Sequence, residues 1–186
     1  MKIFYEAEQY DLGASVLALG TFDGVHAGHR ALIRRAIEIA REDGISCVVC
    51  TFDRHPLEVL APERCPKQLM TLTEKLDALE KIGADAVFVQ TFTPEAAKTD
   101  ARVYLENLVH TLRAECVVAG FNYTFGAGGR GNAEMIRSAA AELGIRTEIV
   151  DAVRDGGDVV SSTLIRRLIE TGDLARANRL KEDSKR

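Results

Sequence analysis

The stretch GTFDGVHAGH (Gly20–His29) sets three glycines, Gly20, Gly24 and Gly28, beside two histidines, His26 and His29, three residues apart. Both imidazoles can donate hydrogen bonds to phosphate oxygens. The glycines let backbone approach a ligand closely. An apolar run, SVLALG, precedes the stretch, and an amphipathic run, HRALIRRAIEIAREDG, follows it. The pattern therefore predicts a strand-to-helix turn with the helix starting near Gly28. A helix amino end offers free N–H groups and partial positive charge, a ready seat for phosphate. Donors there favour charge that builds on phosphorus during transfer. Metal ligation is the weaker reading, because no third ligand stands at a standard spacing.

Other segments add polar and aromatic groups. TFDRHP (Thr51–Pro56) ends an apolar run with Asp53, Arg54 and His55, and Pro56 biases His55 toward extended backbone. GFNYTFG (Gly120–Gly126) concentrates Phe121, Tyr123 and Phe125 around Asn122, enough to wall a flat ring or to pack inward. Near the carboxyl end, Ser161, Ser162 and Thr163 open a helix-period segment with Arg166 one turn in. One serine suffices as an N-cap, and the same helix end is a second anion seat. GAGGRG (Gly126–Gly131) fits G-x-G-x-x-G, with Asp151 twenty residues on. A dinucleotide fingerprint needs its first glycine directly after a strand, and FNYTF intervenes, so a ligand-covering lid carrying Arg130 is the better functional reading. Cys47 and Cys50 spell C-x-x-C inside ISCVVCTF, a strand pattern that turns them to opposite faces, so neither redox nor zinc chemistry is expected.

The elements that must position these residues alternate. Strand patterns at SVLALG, ISCVVCTF, ADAVFVQTF, CVVAG and RTEIVD are separated by helix-period segments. That order predicts an α/β fold, a Rossmann-like doubly wound parallel sheet of about five strands with helices on both faces. Two long connections, 53–72 and 121–131, leave strand carboxyl ends, where such sheets bind ligands. The 186 residues suit one domain, assigned to 1–180, with a charged, frayed tail at 181–186. A net charge of −4 argues against nucleic acid as a partner. No apolar run is long enough for a membrane span, and no signal core follows Met1, so a cytoplasmic protein with reduced cysteines is expected.

HAGH resembles the His-x-Gly-His signature of the nucleotidylyltransferase superfamily. GTFDGVHAGHRALI, TFDRHPLEVL, LTEKLDALEKIGAD, VVAGFNYTFGAGGRGN and VSSTLIRRLIETGDLARANRL resemble, in order and spacing, the FMN adenylyltransferase module of bacterial bifunctional riboflavin kinase/FAD synthetases. The resemblance implies transfer of AMP from ATP to FMN, giving FAD and pyrophosphate, with Mg2+ carried mostly by phosphates and water. It implies ATP contacts at Gly20, Phe22, Gly24, His26, His29, Ser161, Ser162, Thr163 and Arg166, with His26, His29 and Arg166 catalytic. It assigns FMN to Asp53, Arg54, His55, Pro56, Asn122, Tyr123 and Phe125. Three departures stand out. The chain stops before the riboflavin kinase module that the family usually carries, as a lone adenylyltransferase supplied with FMN by a separate kinase or as a piece of a longer enzyme; Asn122 replaces a frequent Asp; Ala96 replaces a common Phe. Adenylylation of another phosphate, such as pantetheine phosphate, and a non-catalytic flavin- or nucleotide-binding regulator are the competing readings.

Overall fold

The structure is a computed structural model that describes residues 1–181. Six strands form one parallel sheet: β1 (Lys2–Phe4), β2 (Ser15–Leu19), β3 (Ser46–Phe52), β4 (Ala86–Gln90), β5 (Ala114–Gly120) and β6 (Arg146–Val150). Their spatial order is β1-β4-β3-β2-β5-β6. From β2 the chain first builds outward through β3 and β4, then returns to place β5 on the other side of β2, so the order reverses between β2 and β5. The sequence pattern gives five of these strands. The sixth, β1, is three residues long, too short for any periodicity, and is held by pairing with Ala86–Phe88 of β4.

Among the described residues there are seven α-helices: α1 (Ala27–Asp43), α2 (Pro56–Leu60), α3 (Leu72–Ile82), α4 (Ala101–Thr111), α5 (Ala133–Leu143), α6 (Ser162–Glu170) and α7 (Leu174–Lys181). The stripe Leu32, Ile33, Ala36, Ile37 and Ala40 of α1 packs with Leu79 of α3 on one sheet face. Leu105, Leu108 and Val109 of α4 pack with Ile136 and Ala139 of α5 on the other. Buried β2 is apolar on both faces, as a central parallel strand must be. Cys47 faces the first layer and Cys50 the second, so the C-x-x-C pair is split across the sheet; all four cysteines are free thiols. Gly44 closes α1 in the left-handed conformation, as its position predicts.

After β6, a small hairpin of β7 (Arg154–Asp155) and β8 (Asp158–Val159) leads into α6 and α7, which share their own apolar cluster. Arg176 and Arg179 of α7 pair with Asp155, clipping the hairpin to the helix. Lys181, expected in the tail, instead closes α7, and Arg30 donates to its carbonyl at 2.8 Å. The rest of the expected frayed tail, 182–186, lies outside the described residues.

Candidate active site

Strand β2 delivers the chain to Gly20 at the carboxyl edge. The turn from Gly20 to Val25 is conformationally costly. Phe22, Gly24 and Val25 all have positive φ (52°, 84° and 35°), a region β-branched residues rarely enter. The turn is held because the Phe22 ring is fully buried. A Cβ on Gly20 would stand 2.7 Å from that ring, so glycine is what lets Phe22 fold back over the strand end. Strain of this kind persists where surrounding packing over-determines it, and it clusters at functional sites.

The turn ends in His26, which caps α1: its Nδ1 accepts from the His29 backbone N–H at 3.3 Å. That bond puts the neutral ring's proton on Nε2. The two imidazoles stack, with centroids 3.6 Å apart and planes 18° from parallel, and Phe22 meets His29 edge-on. Burial, with the charge of Arg30, pushes His26 down to about 4. Burial, then His26 and Lys75, holds His29 well below its ordinary value. Both rings are neutral at physiological pH. The Nδ1 of His29 is buried without a hydrogen-bond partner among the described residues. A buried polar atom of this kind calls for a partner, which an ordered water or a ligand can supply.

These shifts fix a pH dependence of stability. A depressed histidine pKa means that the unfolded chain, titrating near 6.5, takes up a proton that the folded chain refuses. Stability is complete above that value and is lost as pH falls toward about 4. Thermal melts stepped through this interval are expected to show a falling Tm. His26→Asn, which keeps a capping oxygen, is expected to flatten the slope.

The histidines open onto a cleft of about 270 Å³ at the carboxyl edge, where the sheet order reverses. Gly20, Phe22, Gly28, Asn122, Ser161 and Ser162 also line it, with Tyr123 and Asp151. Ser161 is the N-cap of α6, accepting from Leu164 N–H at 3.2 Å. Ser162 Oγ donates to the Asp23 carbonyl at 2.8 Å, tying α6 to the glycine turn. A Cβ on Gly28 would lie 3.3 Å from the His26 ring and 3.4 Å from the Val160 carbonyl, which places the amino end of α1 close beside the segment that leads into α6. Two helix amino ends on one cleft make an electropositive cradle suited to a polyphosphate.

Several expected site residues lie elsewhere. Arg166 is not at the cleft: its guanidinium is ion-paired with the buried Asp23 carboxylate and donates to the Lys67 carbonyl at 2.8 Å. Thr163 is exposed outside the cleft wall, because the first turn of α6 rotates it outward from Ser161 and Ser162. Gly24 faces Leu69 rather than the cleft; a Cβ there would meet that side chain at 2.8 Å. Phe125 is buried against Tyr104 and Tyr123 in the α4–α5 layer and lines neither the cleft nor the smaller hollow beside Asp53. Asp53, Arg54 and His55 line a separate hollow on the other side of Thr21, a residue common to both cavities. His55 caps α2 through Nδ1, and Pro56 is its first helical residue. That hollow is only about 20 Å³, room for about one water rather than a flavin ring. The strap 65–70 closes it, held by Leu69 N–H donating to Asp23 at 3.0 Å and by the Arg166–Lys67 bond.

The expected lid is also absent from the cleft wall, which ends at Thr124. Gly126–Gly131 is rooted instead. Phe125 and Gly131 exchange backbone hydrogen bonds at 3.2 and 2.9 Å, and Ala127 N–H donates to the Thr99 carbonyl at 2.8 Å. Cavity-lining positions that sequence reasoning did not assign to the site are Thr21, Asp23 and Lys75, and Asp151, weighed there only for a dinucleotide fingerprint, also lines the cleft. Lys75 was legible in principle, since it falls among Leu72, Leu76 and Leu79 on the inward stripe of α3. Among the described residues no group of three His, Cys, Asp or Glu side chains is arranged to hold a metal, and no helix is long and apolar enough to cross a membrane.

Comparison with known proteins bears on this geometry directly. Residues 8–164 match the FAD synthetase family. The chain belongs to that family. The bifunctional riboflavin kinase/FMN adenylyltransferase of Listeria monocytogenes is 39% identical over 166 residues, covering 89% of this chain and 52% of that protein. The Escherichia coli K12 protein of the same name is 34% identical and is covered over 53% of its length. This FAD synthetase family chain thus spans about half the length of these curated relatives. A Geobacillus thermodenitrificans protein provisionally given the same double name is 32% identical over 177 residues, with 92% of its length covered. Among solved structures, a Streptococcus pneumoniae chain described as a macrolide-efflux protein superposes with a TM-score of 0.83 at 28% identity, over 96% of this chain and 59% of that one. A pantoate-beta-alanine ligase from Francisella tularensis shares the fold at 14% identity and a TM-score of 0.61. The doubly wound parallel architecture is therefore that of a chain of the FAD synthetase family, and the ligase shares it as a fold alone.

Proposed function

We propose that this FAD synthetase domain transfers the AMP moiety of ATP to FMN, forming FAD and releasing pyrophosphate. The observation that carries the reading is the cleft where the amino ends of α1 and α6 converge beside two neutral, stacked histidines. ATP phosphates occupy the cradle, with Gly20 and Phe22 forming its floor. An FMN phosphate oxygen bonds to the α-phosphorus as the bond to the pyrophosphate oxygen breaks, so no covalent enzyme intermediate is required. His26 donates Nε2–H to the phosphates, and His29 places its unpartnered nitrogen in the same field. Neutral rings suit this chemistry, because they donate without neutralising the nucleophile while the helix ends supply the positive potential.

FMN enters on the Asp53–His55 side, so that its phosphate meets the α-phosphorus across Thr21. The strap 65–70 swings away to admit the ring. Arg166 leaves Asp23 for the polyphosphate, and the same movement frees the Lys67 carbonyl. Asn122 and Tyr123 then belong to the nucleotide side. Magnesium would accompany ATP and would be held mainly by phosphates and water, where it would offset charge on the polyphosphate. The four free thiols suit a reducing cytoplasm. FMN must come from phosphorylation of riboflavin by a separate or attached kinase.

The purified chain, given ATP, magnesium and FMN, is expected to yield FAD resolved by chromatography. With riboflavin in place of FMN, no flavin nucleotide is expected. Turnover of another phosphate acceptor with FMN inert would overturn the flavin assignment. MgATP binding without any transfer would favour a regulatory binding domain.

A further inference from the structure

Among the described residues Lys75 is the one lysine or arginine that is buried. Lysine is almost never buried without a paired charge. Here Nζ donates to three neutral oxygens: the Thr21 carbonyl at 2.9 Å, Thr51 Oγ1 at 3.2 Å and the Phe52 carbonyl at 3.2 Å. Among the described residues no carboxylate lies within ion-pair distance of it. Leucine or methionine would fit the inward stripe of α3 and avoid the desolvation cost of a buried ammonium. The three oxygens are the carboxyl ends of β2 and β3, including the residue that separates the two cavities.

We propose that Lys75 is a positioning residue for phosphoryl-group chemistry: it pins the Thr21 wall between the two cavities and sets a fixed positive potential behind the His26–His29 pair. Its three donors are all committed, so it does not itself reach substrate. It shapes the start of the strained turn whose far end carries His26. Burial is the main cause that lowers the pKa of His29 and of His55, and the Lys75 charge adds a smaller push in the same direction at both. When polyphosphate occupies the cradle, that potential acts on charge growing at phosphorus, in a cavity where water screens poorly.

This role for Lys75 rests on the proposed AMP transfer, and the experiment separates the two. Lys75→Met and Lys75→Arg are compared with the parent chain for Tm, for kcat and KM with ATP and FMN, and for the pH dependence of kcat/KM. The charged groups facing Lys75 are Asp23 from the turn, Asp53 after β3, His29 of α1 and His55 at the cap of α2. Burial lowers the Lys75 ammonium to about 8, within reach of a pH profile. The parent is expected to lose kcat/KM as pH rises through that value. Lys75→Met is expected to fold with an undiminished Tm, to lose kcat about 30-fold with KM within about threefold, and to lack the alkaline limb. Lys75→Arg is expected to stay within about threefold of the parent in kcat and also to lack the limb, since guanidinium stays charged. A folded Lys75→Met with kcat within about twofold of the parent overturns the proposal, as does an alkaline limb unchanged in Lys75→Arg. If the parent makes no FAD, the acceptor assignment fails, and Lys75 is judged by an NMR titration of the four histidines. Higher His29 and His55 midpoints in Lys75→Met, unchanged in Lys75→Arg, support the potential; unmoved midpoints overturn it.

Discussion

His29→Ala is expected to lower turnover in AMP transfer by about 10²- to 10³-fold, the usual consequence of removing one preorganised donor from a charge-developing site. FMN affinity is expected to fall far less, because the ring stands on the α1 side of Thr21 and the flavin enters from the other. Steady-state kinetics with ATP and FMN, paired with FMN titration by fluorescence, separates the two quantities. The choice of His29 over His26 is deliberate. His26 is the N-cap of α1, and its removal would cost about 1 kcal/mol of stability besides any loss of chemistry. His29 caps nothing; it stacks on His26 and meets the Phe22 edge, with one nitrogen buried and unpartnered. Equal losses in turnover and in FMN binding would identify it as a binding or folding residue and remove it from the mechanism.

Gly126→Ala is expected to destabilise the protein by about 3–5 kcal/mol, summing left-handed strain and forced separation of packed backbone. Gly126 has φ 70° and ψ −176°, a combination essentially confined to glycine. A Cβ there would stand 2.3 Å from the Ala101 Cα and 2.7 Å from its nitrogen, and neither atom can swing aside. For a chain of this size the loss corresponds to a Tm lower by roughly 10 °C. Gly128 is the internal control. Its φ of 63° and ψ of 18° are tolerated by asparagine, and nothing lies within 4 Å of its Cβ position. Gly128→Asn is expected to shift Tm by no more than about 3 °C. Calorimetry on both variants decides whether Gly126–Gly131 is a rooted structural loop. Similar small shifts in both would restore the lid reading.

The contrast between these glycines shows where sequence reasoning reaches its limit. The regular expression G-x-G-x-x-G treats Gly126 and Gly128 alike, whereas one abuts the backbone of α4 and the other faces solvent. The same limit applies to Phe125. An aromatic three residues after Asn122 can wall a ligand or fill a core, and only the position of α4 and α5 decides that it fills the core.

Local order and pattern determined the alternation of strands and helices, the Gly44 cap, the histidine turn at the head of α1 and a serine cap, Ser161 or Ser162, on α6. Each depends on residues within a few positions of one another, where periodicity and capping chemistry act directly. The resemblance already set α1 and α6, more than a hundred residues apart in the chain, on one polyphosphate, and tertiary structure supplied the convergence of their amino ends on one cleft. It alone set Asp53–His55 across Thr21 from the histidines, drew Arg166 onto Asp23 and buried Lys75 beneath the turn. Partners brought together across such separations are chosen by sheet order and layer packing, which no window along the sequence contains.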